Sequence, residues 1–291
     1  MRVQPAEGPR FITELQRAVW ESIEWRETPQ GPTIIGGEAF VFVHGFNNTF
    51  EDAARRTAQI AKDINFRGAP IMYSWPSASS GTLRGYQDDG QSIADSEEPF
   101  LAFLAGVAKQ SGARRVHVVA HSMGNRLVSE TLRKLSFPMS TGELPRFNQV
   151  VLTAPDIDAD YFRTAIAPRL VQTADRVTIY SSSRDIALRA SSWVNRIGRR
   201  RLGEAGAELT TFPDLRSIEV IDASQVDTGL FTLRHSYHSD SPTILADLKG
   251  VLSGYAPGER SLESLWGTLA WRFRPSSSRS DIQPAGHTVV R

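Results

Sequence analysis

A doubly wound α/β fold, a mostly parallel sheet with helices on both faces, is what the sequence predicts, and three observations lead there. Six short apolar runs recur from residue 39 onward, rich in β-branched residues. They are nearly continuous rather than alternating, as strands buried on both faces must be. They are also separated by roughly the thirty residues that a strand, a crossover helix and the next strand occupy. Together these features require a sheet sandwiched between two helical layers.

The elements follow in order. Residues 11–23 form a helical stretch in which Phe11, Leu15, Val19 and Ile23 recur every fourth position, and Pro29, Gly31, Pro32, Gly36 and Gly37 then break the chain. The predicted strands are 39–43 (AFVFV), 70–73 (PIMY), 116–120 (VHVVA), 150–153 (VVLT), 177–180 (VTIY) and 218–221 (IEVI). Thr49, with Asp52 three residues on, reads as the N-cap of a helix whose inner face carries Ala53, Ala54, Ile60 and Ile64. Asp240 or Ser241, with Pro242, starts a last helix that Gly250 or Gly254 ends. The expected organisation is a helical lead-in over 1–37, an α/β domain over 38–254 and a partly disordered tail over 255–291, polar and Ser-rich beyond Arg272. Three long segments, 77–91, 136–147 and 189–211, read as insertions of functional interest. The arginines at 196 and 199–201 read as a solvated patch.

Composition excludes several function classes. The 291 residues carry 33 Lys plus Arg against 32 Asp plus Glu, a balance that gives no field to hold nucleic acid. No window approaches the roughly 18 apolar residues of a spanning helix, and the N-terminus lacks an apolar signal-peptide core, so a cytoplasmic location is expected. Without Cys there is no disulfide, no thiolate metal site and no cysteine nucleophile.

The chemistry concentrates in RRVHVVAHSMGNRLVSETLRKL. A buried strand ends at Ala120, Ser122 sits in the turn, and a helix follows. Ala120-His121-Ser122-Met123-Gly124 is thus a small-x-Ser-x-Gly elbow that projects a hydroxyl above the sheet. The small residues let strand and helix backbones approach. The helix start places the Met123 amide where an oxyanion would form. A second oxyanion donor belongs to the loop after an earlier strand, and His44-Gly45-Phe46 supplies it: Gly45 lets the turn fold close, and the Phe46 N–H is the candidate. His44 itself reads as a core histidine rather than a reacting one.

A serine hydroxyl needs a histidine to take its proton, and the histidine needs a carboxylate to orient it. In this fold the chain order is serine, acid, histidine. Of the six histidines, His44, His117, His121 and His287 are in the wrong places, which leaves His235 and His238 after the last strand. Asp185, on the loop after the second strand beyond the nucleophile, is the leading acid. Asp156 is the alternative, and Asp222 is a third candidate; each could instead cap a helix or a turn. The run Asp156, Asp158, Asp160 does not read as a calcium loop, because Tyr161 and Ala167 stand where an EF-hand needs Gly and Glu.

The strings FVHGFNNTFEDAARR, YSWPS, VVAHSMGNRL, LTAPDID, YSSSRDIAL and RHSYHSDSP, in this order, resemble an uncharacterised, mostly bacterial family of esterase- or lipase-like α/β hydrolases. The resemblance spans residues 11–252. It implies Ser122 as nucleophile and His235, the one preceding Ser-Tyr, as base, with His238 at a variable position. It also places Tyr73, Trp75 and Pro76 in a strand-end motif, expected to line the pocket with His44 and Gly45. The export signal or lipid-anchor Cys of some members is not seen here.

The expected activity is therefore a serine hydrolase acting on a small-molecule carboxylic ester or related acyl bond. Ser122, Asp185 and His235 are its triad, the Phe46 and Met123 amides its oxyanion hole, and no metal or organic cofactor is required. With a neutral imidazole as base, activity should fall as pH drops through roughly 6 to 7. Two rivals remain at this level: an acyltransferase using the same serine, and a non-catalytic module that keeps the fold. The oligomeric state is not readable from the sequence.

Overall fold

The computed structural model describes residues 8–29, 31–137, 145–184, 200–204, 212, 215–226, 241–265 and 270–274. The expectations for Asp185, His235, His238 and most of segments 136–147 and 189–211 lie outside these residues, as does the tail beyond 274.

All six predicted strands are present: β3 (Glu38–Val43), β4 (Gly68–Tyr73), β5 (Arg115–His121), β6 (Phe147–Thr153), β7 (Ala174–Ser181) and β8 (Ile218–Asp222). With β9 (Leu262–Ser264) and β10 (Ala270–Phe273) they lie in one eight-stranded sheet of order β4-β3-β5-β6-β7-β8-β10-β9. Every pairing from β4 through β10 is parallel, and only β9 runs antiparallel, against β10.

The two faces carry separate cores. One packs Val41, Val118, Leu152 and Ile179 under α1 (Gly8–Glu21), α3 (Leu83–Gln110), α4 (Gly124–Leu135) and α6 (Ala167–Thr173). A short α5 (Ala159–Tyr161) and a π turn (Phe162–Ile166) lead into α6. The other face packs Phe40, Phe42, Val119, Val151 and Tyr180 under α2 (Phe50–Asp63) and α7 (Pro242–Leu252). Alternate residues of each strand thus feed opposite layers, which is why the runs are nearly continuously apolar instead of alternating.

Local signals place the helices as expected. The Thr49 side chain accepts from the Asp52 amide at 3.1 Å and Asp52 accepts from the Thr49 amide at 3.3 Å, a reciprocal capping box on α2. Ser241 precedes α7 with Pro242 in its first turn, and Gly254, at φ 85°, closes the helix while Tyr255 N–H bonds Gly250 O at 2.9 Å.

Three features differ from the sequence reading. Residues Glu24–Thr28 (β1) and Gly31–Ile35 (β2) form a hairpin of its own, mostly exposed, so it carries no burial pattern in the sequence. Segment 77–91 is largely not an inserted loop: α3 starts at Leu83, capped by the Thr82 hydroxyl on the Gly85 amide at 3.0 Å. A β-carbon on Gly85 would lie 1.9 Å from Ser80 Oγ, so the glycine is what lets the Ser80 side chain pack against the start of the helix. Finally, β9 and β10 extend the sheet beyond residue 254, into the segment read as tail. Among the described residues no helix is long and apolar enough to cross a membrane.

Candidate active site

Parallel pairing brings the carboxyl ends of the strands to one edge, and the register aligns them. His121 pairs with Thr153, Thr153 with Tyr180 and Tyr180 with Ile221. Ser122 follows one residue beyond that row, at the level of the paired Ser181 and Asp222. The edge where β5 ends is thus the edge where the chain leaves β7 and β8.

The turn from β5 to α4 takes two residues, and Ser122 accommodates it at φ 50°, in the left-handed region that side chains other than glycine avoid. Such strain persists only where its surroundings hold it. Here the Ser122 amide donates to Thr153 O at 3.0 Å. Its carbonyl accepts from the Asn125 amide at 3.1 Å, from Asn125 Nδ2 at 2.9 Å and from the Asp156 amide at 3.3 Å. Asn125 is fully buried and donates also to Thr153 O at 3.0 Å. The sequence reading passed over Asn125, whose only signal was its place directly after the elbow glycine.

Gly124 and Gly45 are required by proximity. A β-carbon on Gly124 would lie 2.3 Å from the His44 carbonyl oxygen, and one on Gly45 would lie 2.9 Å from His121 Nδ1. The turn after β3 is thereby packed against the serine elbow. His44 is 1% exposed and stacks on Trp75, with ring centroids 5.0 Å apart; Trp75 Nε1 donates to His44 O at 2.8 Å. His44 Nδ1 donates to Gly45 O at 2.9 Å while Nε2 faces Ser74 Oγ at 3.2 Å. Burial pushes the His44 imidazole below its ordinary pKa, in keeping with a neutral ring. His44 and Trp75 therefore form a packed layer under the turn. Tyr73 is half-buried, its ring 4.5 Å from Phe100 and 5.1 Å from Phe103, centroid to centroid.

Among the described residues neither the Phe46 amide nor the Met123 amide donates a hydrogen bond. Among the described residues no side chain caps α4 at Met123, and the positive end of the helix lies beside Ser122.

The acid candidates differ in their surroundings. Asp156 is buried behind the elbow. Its Oδ2 pairs with Arg126 at 2.8 Å and accepts from Tyr86 Oη at 2.5 Å; its Oδ1 faces Arg201 Nε at 3.2 Å. Arg126 Nε also donates to the Asp156 carbonyl at 2.6 Å. Arg201, read as part of a solvated patch, instead keeps only 12% of its side chain exposed, because the segment it belongs to is pinned down: Leu202 N–H bonds Ile157 O at 2.8 Å and Gly203 N–H bonds Pro155 O at 2.9 Å. Asp222 accepts from the amide and hydroxyl of Ser224. Asp158 caps α5 by accepting from the Tyr161 amide at 2.8 Å.

Solved structures similar to this chain include esterases. Inhibited esterase B from Lactobacillus rhamnosis matches at 12% identity and TM-score 0.40, over 84% of this chain and 94% of that one. Esterase Pf2001 from Pyrococcus furiosus matches at 12% identity and TM-score 0.40, over 87% and 96%. An esterase from Rhizomucor miehei matches at 14% identity and TM-score 0.40, over 87% and 92%. No curated protein matches the chain. The family model of DUF900, described as an alpha/beta hydrolase of unknown function, does match, over residues 34–251. That span is well over half of the sequence and takes in the turn after β3, the serine elbow and the sheet between them, so the chain belongs to this alpha/beta hydrolase family.

Proposed function

We propose that the protein is a serine hydrolase that cleaves a small-molecule carboxylic ester through an acyl-enzyme. Ser122 attacks, His235 takes and returns the proton, and Asp185 orients His235. The Phe46 and Met123 amides receive the oxyanion. The observation that carries this reading is the backbone of Ser122 at φ 50° on a strand-to-helix turn, a conformation with no structural use that a glycine would not serve better.

Chain reach supports the assignment of the acid. β7 lies two strands from β5, about 10 Å at the usual strand spacing, and Asp185 comes four residues after Ser181, a reach of up to about 14 Å. Asp156 already answers to two arginines and a tyrosine, which favours Asp185 as the acid. Asp185→Asn is then expected to lower turnover by about ten-thousandfold. Near-normal rates in that variant would move the role to Asp156.

The deciding experiment is labelling with a fluorophosphonate probe. It should modify the wild type and not Ser122→Ala, and a panel of p-nitrophenyl esters of increasing chain length then defines the acyl preference. A wild type that neither takes the probe nor turns over any ester would leave a binding module as the better reading.

A further inference from the structure

We propose that Asp89 is a positioning residue for the oxyanion turn, acting through Ser77 on the peptide group next to the Phe46 amide. The inference rests on the serine-hydrolase reading and goes beyond it. Asp89 is completely buried on α3, and among the described residues no Lys or Arg pairs with it. A buried carboxylate without a cation is costly unless hydrogen bonds replace its water, so what donates to it is held firmly. The donors are Ser77 Oγ at 2.6 Å and the Ala78 amide at 2.5 Å.

Because the Ser77 hydroxyl donates its hydrogen bond to Asp89, the Ser77 oxygen is left as an acceptor. It accepts from the Asn47 amide at 3.1 Å. Asn47 sits at φ 57°, a conformation Asn tolerates better than most residues but still one that needs support.

Two consecutive peptide planes meet at Phe46. The first joins the Gly45 carbonyl to the Phe46 amide, and its carbonyl accepts from His44 Nδ1 at 2.9 Å and Asn48 Nδ2 at 3.2 Å. The second joins the Phe46 carbonyl to the Asn47 amide; Asn48 Nδ2 holds its carbonyl at 2.8 Å and Ser77 holds its N–H. In a trans peptide C=O and N–H point opposite ways, so pinning the Gly45 carbonyl aims the Phe46 N–H. The second plane must then stay fixed for that aim to hold, and its N–H end is held from Asp89 by way of Ser77.

The test uses the full-length chain, p-nitrophenyl butyrate as substrate and an aryl trifluoromethyl ketone as an inhibitor that forms an oxyanion on the enzyme. Ser77→Ala is expected to lower kcat about tenfold, less than the loss of a whole oxyanion donor. KM should stay within about twofold, and the ketone should bind weaker by the factor lost in kcat. Ser77→Thr, which keeps the hydroxyl, should restore both, and Asp89→Asn should show part of the same loss. Unchanged kcat and ketone affinity in Ser77→Ala, in a protein whose Ser122 still takes the fluorophosphonate, would overturn the role of Asp89 alone. So would a loss that threonine does not repair. Failure of the wild type to take the probe would instead remove the hydrolase reading on which the role depends.

Discussion

A β-carbon on Gly45 would lie 2.9 Å from the β-carbon of Ser122, so the turn after β3 and the serine elbow touch with nothing larger than hydrogen between them. Gly45→Ala must push the two apart. We expect it to lower kcat by at least about tenfold, since the Phe46 amide moves with the turn, and to cost about 1–3 kcal/mol of stability as an overpacked contact. Kinetics and urea unfolding on one preparation check both, and unchanged kcat would show that the turn does not serve the serine.

The left-handed conformation of Ser122 makes a second prediction. Both Ser122→Ala and Ser122→Gly should lose activity, by about a millionfold. Only glycine relieves the backbone strain, so the Gly variant should be the more stable of the two by about 1 kcal/mol. Equal unfolding midpoints would mean that the elbow is not strained.

Asn125 is expected to matter out of proportion to its neutral side chain. Its Nδ2 bonds Ser122 O at 2.9 Å and Thr153 O at 3.0 Å, joining the elbow to β6 in a buried place. Asn125→Ala should cost about 0.5–1.5 kcal/mol by removing one buried hydrogen bond from each of two carbonyls that keep their backbone donors. Asn125→Asp should cost more, because it turns an acceptor towards two carbonyls. Thermal unfolding of the pair would show the order, and an Asp variant as stable as wild type would contradict it.

Acid should weaken the protein through its buried imidazoles. Burial, with the Arg56 and His44 charges adding to it, pushes His121 from 6.5 down to about 3, and burial lowers His44 as well. A base whose folded pKa is depressed binds its proton more readily in the unfolded chain. Its contribution is therefore whole above pH 6.5 and is lost as pH falls from there towards 3. By pH 5 the loss from His121 is about 2 kcal/mol. Urea midpoints measured from pH 7 to pH 5 should fall accordingly, and fall less steeply in His121→Asn. A midpoint that stays level over that range would refute the argument.

The far end of the chain is tied in by charge. Arg260 is 7% exposed and pairs with Asp247 of α7 at 3.0 Å and with Glu219 of β8. Tyr180 donates to the same Asp247 oxygen at 2.5 Å. Arg260→Met should cost about 3–5 kcal/mol, because it strands two acids in the core beneath α7. A loss under 1 kcal/mol would mean that the cluster is already neutral.

The elements legible in the sequence are those whose signal is local. Continuous β-branched runs gave away β3 to β8, Thr49 and Asp52 marked the start of α2, and small residues around Ser122 marked the elbow. The β1–β2 hairpin escaped because most of its residues are exposed and leave no pattern. The first turns of α3 escaped because Gly85 and Gly90 lower helix propensity there, while the burial of Ile93, Phe100, Leu104 and Val107 further along carries the helix through. β10 was missed because its four residues become a strand only by laddering onto β8.

Taken alone, the chain determined its layer architecture, its strand-to-helix serine turn and its glycine turn after β3, since each follows from residues adjacent in sequence. Only the tertiary structure decided that Asp156 is held by Arg126 and Arg201, that Asn125 clamps the Ser122 carbonyl, and that Asp89 reaches the turn after β3 through Ser77. The physical reason is common to all three. A buried polar group is defined by whichever donors packing brings to it from other elements, and no periodicity or spacing along the chain records that meeting.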